Sequence, residues 1–149
     1  MKDKQYQRIL LAVSATPEGR RAEETAIHLA GRFDGVRLFV LHVVDKAVIN
    51  RMKRFTDKSL TELEVEMEEN GWKYLYRIEE AAKDQGIPTL ILQESGVAEH
   101  ILVKEAERLK ADLIVLGFPS KTNGQIRRLA VGYIEKTLEN ATCDVLVVK

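Results

Sequence analysis

The last third of the chain, residues 111–149, constrains the fold more than any other stretch. It contains an apolar run at 113–116, a loop rich in Gly, Pro, Ser and Asn at 117–124, a helical pattern, and a second apolar run at 145–148. Short continuous runs of Val, Leu and Ile between turn residues are typical of parallel strands that are buried on both faces. This stretch therefore predicts one strand–helix–strand unit.

The rest of the chain continues the same alternation. Three further apolar runs predict strands at 8–13, 36–44 and 89–93. Helical patterns separate them, one beginning at Pro17, one across 53–85 and one across 97–109. Five short strands alternating with four helices predict an α/β fold, a doubly wound three-layer sandwich in a single domain of residues 1–149, with right-handed crossovers.

Composition excludes several function classes. The chain has 23 basic and 23 acidic side chains and a formal net charge of zero, so it lacks the electrostatic footprint of a protein that binds nucleic acid or an anionic membrane. Cys143 is the only cysteine, which excludes an intrachain disulfide and a cysteine-based metal site. No stretch approaches the roughly 18 apolar residues of a membrane span, and the first residues do not form a signal peptide, so a cytoplasmic location is expected.

The loop after the fourth predicted strand is a candidate anion-binding site. Gly117 and Gly124 permit close backbone approach, while Ser120, Lys121 and Thr122 offer hydroxyl and ammonium donors beside a helix amino terminus. The same residue types also form ordinary turns, so a plain connection is the other interpretation. The Walker pattern GxxxxGK[ST] and the Rossmann pattern GxGxxG are both absent, which excludes those two kinds of phosphate site.

A second loop, residues 14–19, is expected to lie beside this one. Thr16 is predicted to cap the first helix, with Pro17 at its first position. In doubly wound sheets, ligands bind where the strand order reverses, here at the carboxyl ends of the first and fourth strands. The two loops are therefore predicted to share one site.

The chain resembles the universal stress protein family over nearly its whole length. The matching segments are RILLAVSATPEGRRAEETAIHLA, LHVVD, SGVAEHILVKEAERLKADLIVLG and LENATCDVLVVK, in this order. The resemblance implies a five-stranded parallel sheet of order 3-2-1-4-5, of the adenine-nucleotide alpha-hydrolase-like class. It also implies a homodimer joined through the last strands, and roles in stress survival and signalling rather than defined catalysis.

Some members of that family bind ATP through a loop patterned G-x2-G-x9-G-[ST], an acidic residue after the first strand, and the backbone near the end of the second strand. Here Val43 matches the second-strand position, Gly117 matches the first loop glycine, and Lys121 and Thr122 resemble the residues that follow the loop in those members. The resemblance thus implies ATP or AMP as the cofactor, with Mg²⁺ if the nucleotide is ATP. The candidate cofactor-binding residues are Ser14, Val43, Gly117, Ser120, Lys121, Thr122, Gly132 and Tyr133.

Three positions depart from the nucleotide-binding pattern. Ser14 stands where those members carry the acidic residue, Ser120 stands at the second glycine, and Gly132 is followed by Tyr133. Eleven residues instead of nine separate Ser120 from Gly132. Asp45, at the end of the second strand, is an alternative carboxylate, although a solvent-exposed strand-terminal Asp is the other interpretation.

Two functions follow from this mixed evidence. The first is a non-enzymatic stress protein that acts through dimerisation and partner contact, with weak or altered nucleotide binding. The second is an ATP- or AMP-binding switch or slow ATPase that uses the loop after the fourth strand. A phosphoacceptor receiver domain is excluded because the strands do not end in clustered carboxylates, and a nucleophilic hydrolase is excluded because no GxSxG occurs.

The dimer has an argument of its own in the strand order. The fifth strand is an edge in the order 3-2-1-4-5, and an unprotected apolar edge invites pairing with another chain. We therefore expect the run Val145–Val148 to pair with a second copy. His42 falls inside the second predicted strand and is interpreted as a structural residue of the sheet.

Overall fold

The structure is a computed structural model that describes residues 5–119 and 123–149. Five parallel strands form one sheet in the order β3-β2-β1-β4-β5, which confirms the predicted 3-2-1-4-5 order. The strands are β1 (Arg8–Ala12), β2 (Arg37–Asp45), β3 (Thr89–Gly96), β4 (Leu113–Gly117) and β5 (Asp144–Val148).

Five α-helices and one 3₁₀ turn accompany the sheet in the described residues, so the prediction of four helices was wrong. The helices are α1 (Pro17–Ala30), α2 (Lys46–Met52), α3 (Leu60–Lys83), α4 (Ala98–Arg108) and α5 (Gly124–Asn140), and the 3₁₀ turn is Lys53–Phe55.

The error lies between β2 and β3, where one helical pattern was predicted across 53–85. Asp45 starts a separate short helix, because its side chain accepts a hydrogen bond from the backbone N–H of Ala47. Ser59 then starts α3 by accepting a hydrogen bond from the N–H of Glu62. Two side chains that cap new helices therefore divide the segment.

The other strands and helices form close to their predicted positions. Thr16 caps α1 as predicted: its hydroxyl oxygen accepts a hydrogen bond from the N–H of Gly19 at 3.0 Å, and Pro17 is the first helical residue. Strand β3 extends three residues beyond the predicted end at Gln93, because it pairs with β2 up to Asp45↔Gly96.

Helices cover both faces of the sheet. Alternate strand residues point to opposite faces, so Ile9 and Leu11 pack on the side of α1 and α3, whereas Leu10 packs on the side of α4 and α5. All three side chains are completely buried. The apolar runs of the sequence thus become the middle layer of a three-layer sandwich.

Helix α3 packs closely on the sheet at Gly71. A Cβ atom added there would lie 2.3 Å from Nδ1 of His42, which is a buried residue of β2. Gly132 in α5 is the opposite case, since a Cβ atom there would meet no atom of residues 5–119 and 123–149 within 4 Å. Gly71 therefore permits close helix–sheet packing, whereas Gly132 has no such packing role.

This contrast gives a matched pair of substitutions. Gly71→Ala should lower the free energy of unfolding by about 1–2 kcal/mol, because overpacking costs about 1–3 kcal/mol and outweighs the gain of up to about 1 kcal/mol in helix propensity. Gly132→Ala should raise it by about 0.5–1 kcal/mol, because only the propensity changes. Urea denaturation of both variants measures these changes; equal effects would contradict the assigned packing of α3.

Candidate functional site

A cavity of about 380 Å³ opens where the carboxyl ends of β1 and β2 meet α2 and α3. We name it the α3 cavity. Its apolar walls include Val13, Val43, Leu63, Met67 and Tyr74. A mostly apolar cleft with a few polar groups is the usual form of a small-molecule site.

Polar side chains stand among these apolar walls. His42 and Asn70 line the α3 cavity from β2 and α3, and Ser14 and Thr16 line it from the loop after β1. The Ser14 and Thr16 hydroxyl oxygens lie 3.1 Å apart and form a hydrogen bond. The cavity therefore offers ring, amide and hydroxyl groups to a ligand, together with the carboxylates of Asp45 and Glu66.

A second cavity, of about 160 Å³, lies on the other face of the sheet, and we name it the α5 cavity. Its lining includes Leu129, Ala130 and Tyr133 of α5 and Ala98 of α4. Four residues line both cavities, namely Val13, Val43, Asp45 and Val48. The two cavities therefore adjoin at the carboxyl ends of β1 and β2, beside the point where the strand order reverses.

The candidate site residues fall into three groups. Ser14, Val43 and Tyr133 line the adjoining cavities. Gly117 and Gly132 do not line either cavity, and the remaining candidates, Ser120, Lys121 and Thr122, lie outside the described residues.

Gly117 has a packing role that the sequence did not indicate. A Cβ atom at this position would lie 2.7 Å from the carbonyl group of Glu18 and 2.8 Å from the nitrogen of Gly19. The end of β4 thus packs directly on the first turn of α1. A bulky substitution at Gly117 would disturb the fold as well as any ligand, so it is not a clean probe of binding.

Helix α5 contributes Ala130 to the α5 cavity, whereas Gly132 lies two residues further along the helix. Residues 121–129, nine in number, separate Ser120 from Ala130. This is the spacing between the second and third glycines of the family's nucleotide-binding pattern. Ala130, followed by Val131, therefore occupies the position expected for the third glycine, and the role of Gly132 stays a prediction.

Two negative charges face the hydroxyl group of Tyr133. The pKa of Tyr133 is raised well above its ordinary value, first by burial and then by the carboxylates of Asp45 and Glu99. Burial also raises the pKa of Asp45, although its hydrogen bonds from the N–H groups of Ala47 and Val48 oppose this. Tyr133 is therefore a protonated hydrogen-bond donor at neutral pH.

His42 is 8% exposed and lies within β2, which confirms its interpretation as a structural residue of the sheet. Its Nδ1 atom is 2.6 Å from Oε1 of Gln93, and its ring meets Tyr74 edge-on with centroids 6.2 Å apart. Burial lowers the pKa of His42, and the hydrogen bond to Gln93 partly opposes this. The ring is therefore neutral at physiological pH. Because Nε2 of Gln93 donates to the carbonyl of Glu68, Oε1 of Gln93 accepts the Nδ1–H of His42, and Nε2 of the ring remains as an acceptor.

The described residues contain no preformed cluster of metal ligands. Within residues 5–119 and 123–149, no group of three or more His, Cys, Asp or Glu side chains is placed to hold a metal ion. Ser14 supplies a hydroxyl group, already bonded to Thr16, in place of a carboxylate. Mg²⁺ is usually held by one or two carboxylates together with phosphate groups. Here Asp45 lines both cavities, and Glu66, which pairs with Lys58, lines the α3 cavity.

Several lining residues were missed by the sequence analysis. Val48 and Met52 belong to α2, a helix that was not predicted, and Met67, Asn70 and Tyr74 were interpreted only as parts of a long amphipathic helix. The helical spacing of Met67, Asn70 and Tyr74 indicates a helix face that packs against the rest of the protein. It does not distinguish residues of the hydrophobic core from residues that line a cavity.

The family model described as "Universal stress protein family" matches residues 5–149. The chain belongs to this family. It is 30% identical over 146 residues to a universal stress protein of Methanocaldococcus jannaschii, covering 97% of this chain and 82% of the relative. It is 29% identical to universal stress protein A homolog 1 of Coxiella burnetii over 145 residues, 96% of each chain.

Solved universal stress proteins share the fold. The universal stress protein UspA from Lactobacillus plantarum superposes with a TM-score of 0.80 at 21% identity, covering 99% of this chain and 100% of the other. A universal stress protein in complex with cAMP has a TM-score of 0.63 at 19% identity, covering 97% and 98%. A third, from Archaeoglobus fulgidus in complex with dAMP, has a TM-score of 0.62 at 18% identity, covering 98% and 100%.

The helices also bear on membrane association. Among the described residues, none of the helices combines the length and the apolar character that crossing a bilayer requires.

The lowered pKa of His42 predicts a pH-dependent contribution to stability. A histidine whose pKa is lower in the folded state stabilises the fold above its unfolded pKa of about 6.5, and this contribution is lost as the pH falls through the folded pKa. The free energy of unfolding should therefore decrease from pH 6.5 to 5 more steeply in the wild type than in His42→Gln. Urea denaturation across this range measures both slopes, and parallel slopes would contradict the prediction.

Proposed function

We propose that this stress protein binds an adenine nucleotide in the adjoining α3 and α5 cavities and does not turn it over. The observation that carries the proposal is that two cavities share Val43 and Asp45 at the carboxyl end of β2. The cAMP and dAMP complexes of other family members support it, because both ligands contain adenine and a phosphate group.

The larger α3 cavity suits the purine ring. Val43, Met67 and Tyr74 provide apolar contact area for a flat ring, and a polarizable thioether adapts to its shape. The amide of Asn70 offers a donor and an acceptor, and Nε2 of the neutral His42 ring offers an acceptor. We therefore propose that these two side chains face the polar edge of the base.

The sugar and phosphate groups are then directed toward the loops that follow β1 and β4. Ser14 and Thr16 lie at the start of α1, where backbone N–H groups and the helix dipole favour an anion. Ser120, Lys121 and Thr122 belong to the proposed phosphate side through the resemblance to nucleotide-binding members. Val43, Gly117, Gly132 and Tyr133 are the other proposed binding residues, with Tyr133 donating its hydroxyl hydrogen within the α5 cavity.

The side chains that line the site support nucleotide binding without hydrolysis. The described residues lack a metal-binding cluster, and Ser14 replaces the carboxylate that would hold a metal near the phosphates. Metal ions contribute to phosphoryl transfer by neutralising charge on the phosphate oxygens. A nucleotide bound here is expected to act as a signal or to stabilise one conformation.

A cavity-filling substitution tests the site. Asn70→Trp should weaken AMP binding at least tenfold, about 1.4 kcal/mol, because the indole ring would occupy the α3 cavity. Glu69→Trp is the matched control, since Glu69 is exposed on the same helix and does not line the cavity. Calorimetric titration with AMP measures both; a wild type that shows no binding up to millimolar AMP overturns the proposed function.

We also propose that the protein works as a homodimer through β5. In the described part of the chain, β5 pairs with β4 on one side only, and four of its five residues are half-buried. The carbonyl of Val148 accepts a hydrogen bond from Phe118 on the β4 side. Because backbone groups alternate along a strand, the N–H group of Val147 points toward the open edge.

A proline at Val147 should separate the dimer. Val147→Pro removes an N–H group from the open edge without removing one from the β4–β5 ladder. Val147→Thr keeps that group and is the matched control. Sedimentation velocity at tens of micromolar should show a monomer for the proline variant and a dimer for the wild type and control; a monomeric wild type refutes the dimer.

Partner contact and location complete the proposal. We propose one domain of residues 1–149 acting in the cytoplasm, since a chain with a single cysteine carries no intrachain disulfide and suits a reducing compartment. The balanced charge argues against nucleic acid and anionic membranes as partners.

A further inference from the structure

A third cavity of about 380 Å³ lies between the segment after β2 and the start of α5. We name it the arginine groove. Its lining consists of Arg51, Arg54, Phe55, Asn123, Gly124 and Gln125. None of these six described residues is acidic, and the two guanidinium groups are the charged groups among them.

The two arginines differ from most of the others that the structure describes. Arg77 pairs with Glu23, Arg108 pairs with Glu105, and Arg127 donates to the carbonyl of Pro119. Within residues 5–119 and 123–149, the side chains of Arg51 and Arg54 make no hydrogen bond or ion pair. Their hydrogen-bond donors are therefore available to a ligand.

Phe55 stands beside the arginines at the rim of the groove and is 85% exposed. It belongs to the 3₁₀ turn that follows α2. An exposed phenylalanine next to two cations places apolar area and positive charge on the same surface, which suits a ligand with both an organic and an anionic part.

The arginine groove is lined in part by residues of α2 and α5, the helices that also line the proposed nucleotide site, although it shares no described lining residue with the α3 and α5 cavities. On α2, Val48 lines both nucleotide cavities, and Arg51 lies three residues further along the same helix. On α5, Ala130 lines the α5 cavity, and Gln125 lies five residues earlier. At 1.5 Å per residue these separations correspond to rises of about 4.5 Å on α2 and about 7.5 Å on α5, which a ribose with a phosphate chain can span.

We propose that the arginine groove is a phosphate subsite in which Arg51 and Arg54 neutralise the phosphate chain of a bound adenine nucleotide without a metal ion. The inference rests on the proposed function and extends it to the class of ligand, a nucleoside di- or triphosphate. Guanidinium groups bind phosphate oxygens through paired hydrogen bonds and remain charged at every physiological pH. In the proposed subsite they supply the positive charge that Mg²⁺ provides in other nucleotide sites. This matters here because Ser14 offers no carboxylate to hold a metal ion.

The test compares adenosine, AMP and ATP in the presence of EDTA. In the wild type, ATP should bind at least tenfold more tightly than adenosine. In the double variant Arg51→Gln/Arg54→Gln, ATP should lose at least tenfold in affinity, whereas adenosine should change less than twofold, because only the phosphate contacts are removed. The control Arg32→Gln/Arg37→Gln removes two exposed arginines at the opposite end of the sheet and should bind all three ligands as the wild type does.

Inorganic tripolyphosphate separates the subsite from the nucleotide site. If the wild type binds it in EDTA and the double variant loses at least tenfold, the arginine groove is a phosphate site even if adenosine does not bind and the proposed function fails. The phosphate subsite is refuted if adenosine and ATP bind equally, if ATP binds only with Mg²⁺, or if the double variant keeps its ATP affinity. In each of these cases the proposed nucleotide site in the α3 and α5 cavities is retained. If no nucleotide and no tripolyphosphate binds, both proposals fail. Equal thermal midpoints of all variants establish that each is folded.

Discussion

The burial of β1 between two sheet neighbours and two helical layers is the constraint on which the rest of the structure depends. Ile9, Leu10 and Leu11 are completely buried, and each contributes about 1.5–3 kcal/mol from removal of its side chain from water. Because β2 pairs on one side of β1 and β4 on the other, the chain must reverse its strand order here. That reversal opens the cleft at Val13 and Ser14, so the same constraint that forms the core also creates the site.

Around this cleft, the charged groups differ from the family's nucleotide-binding pattern. Val43 lies where the resemblance places it, but Ser14 supplies a hydroxyl group instead of a carboxylate, and Tyr133 lines the α5 cavity. Positive charge is instead concentrated on the short helix and 3₁₀ turn after β2, at Arg51 and Arg54. A ligand phosphate would therefore interact with side chains of this segment as well as with loop backbone.

The sequence predicted the sheet more accurately than the helices or the cavity walls. Parallel strands buried on both faces must be continuously apolar, so the runs that became β1 and β4 are distinctive. Amphipathic helices carry a less specific pattern, and the periodicity across 53–85 concealed a break that two local hydrogen bonds, at Asp45 and Ser59, create. Met67 and Asn70 obey the same helical spacing as core residues, so spacing alone did not show that they face a cavity.

By itself, the sequence determined the five strands, the cap of α1 at Thr16 and the family, since these depend on local patterns and on motif order. Only the tertiary structure showed the packing roles of three glycines. Gly71 permits close contact with His42, Gly117 permits close contact with the first turn of α1, and Gly132 has no described neighbour that a Cβ atom would contact. The tertiary structure also brought Arg51 and Gln125, 74 positions apart in the sequence, to one groove. The physical reason is that close backbone contacts and the grouping of charged side chains depend on distances between helices and strands. Local sequence patterns do not specify these distances.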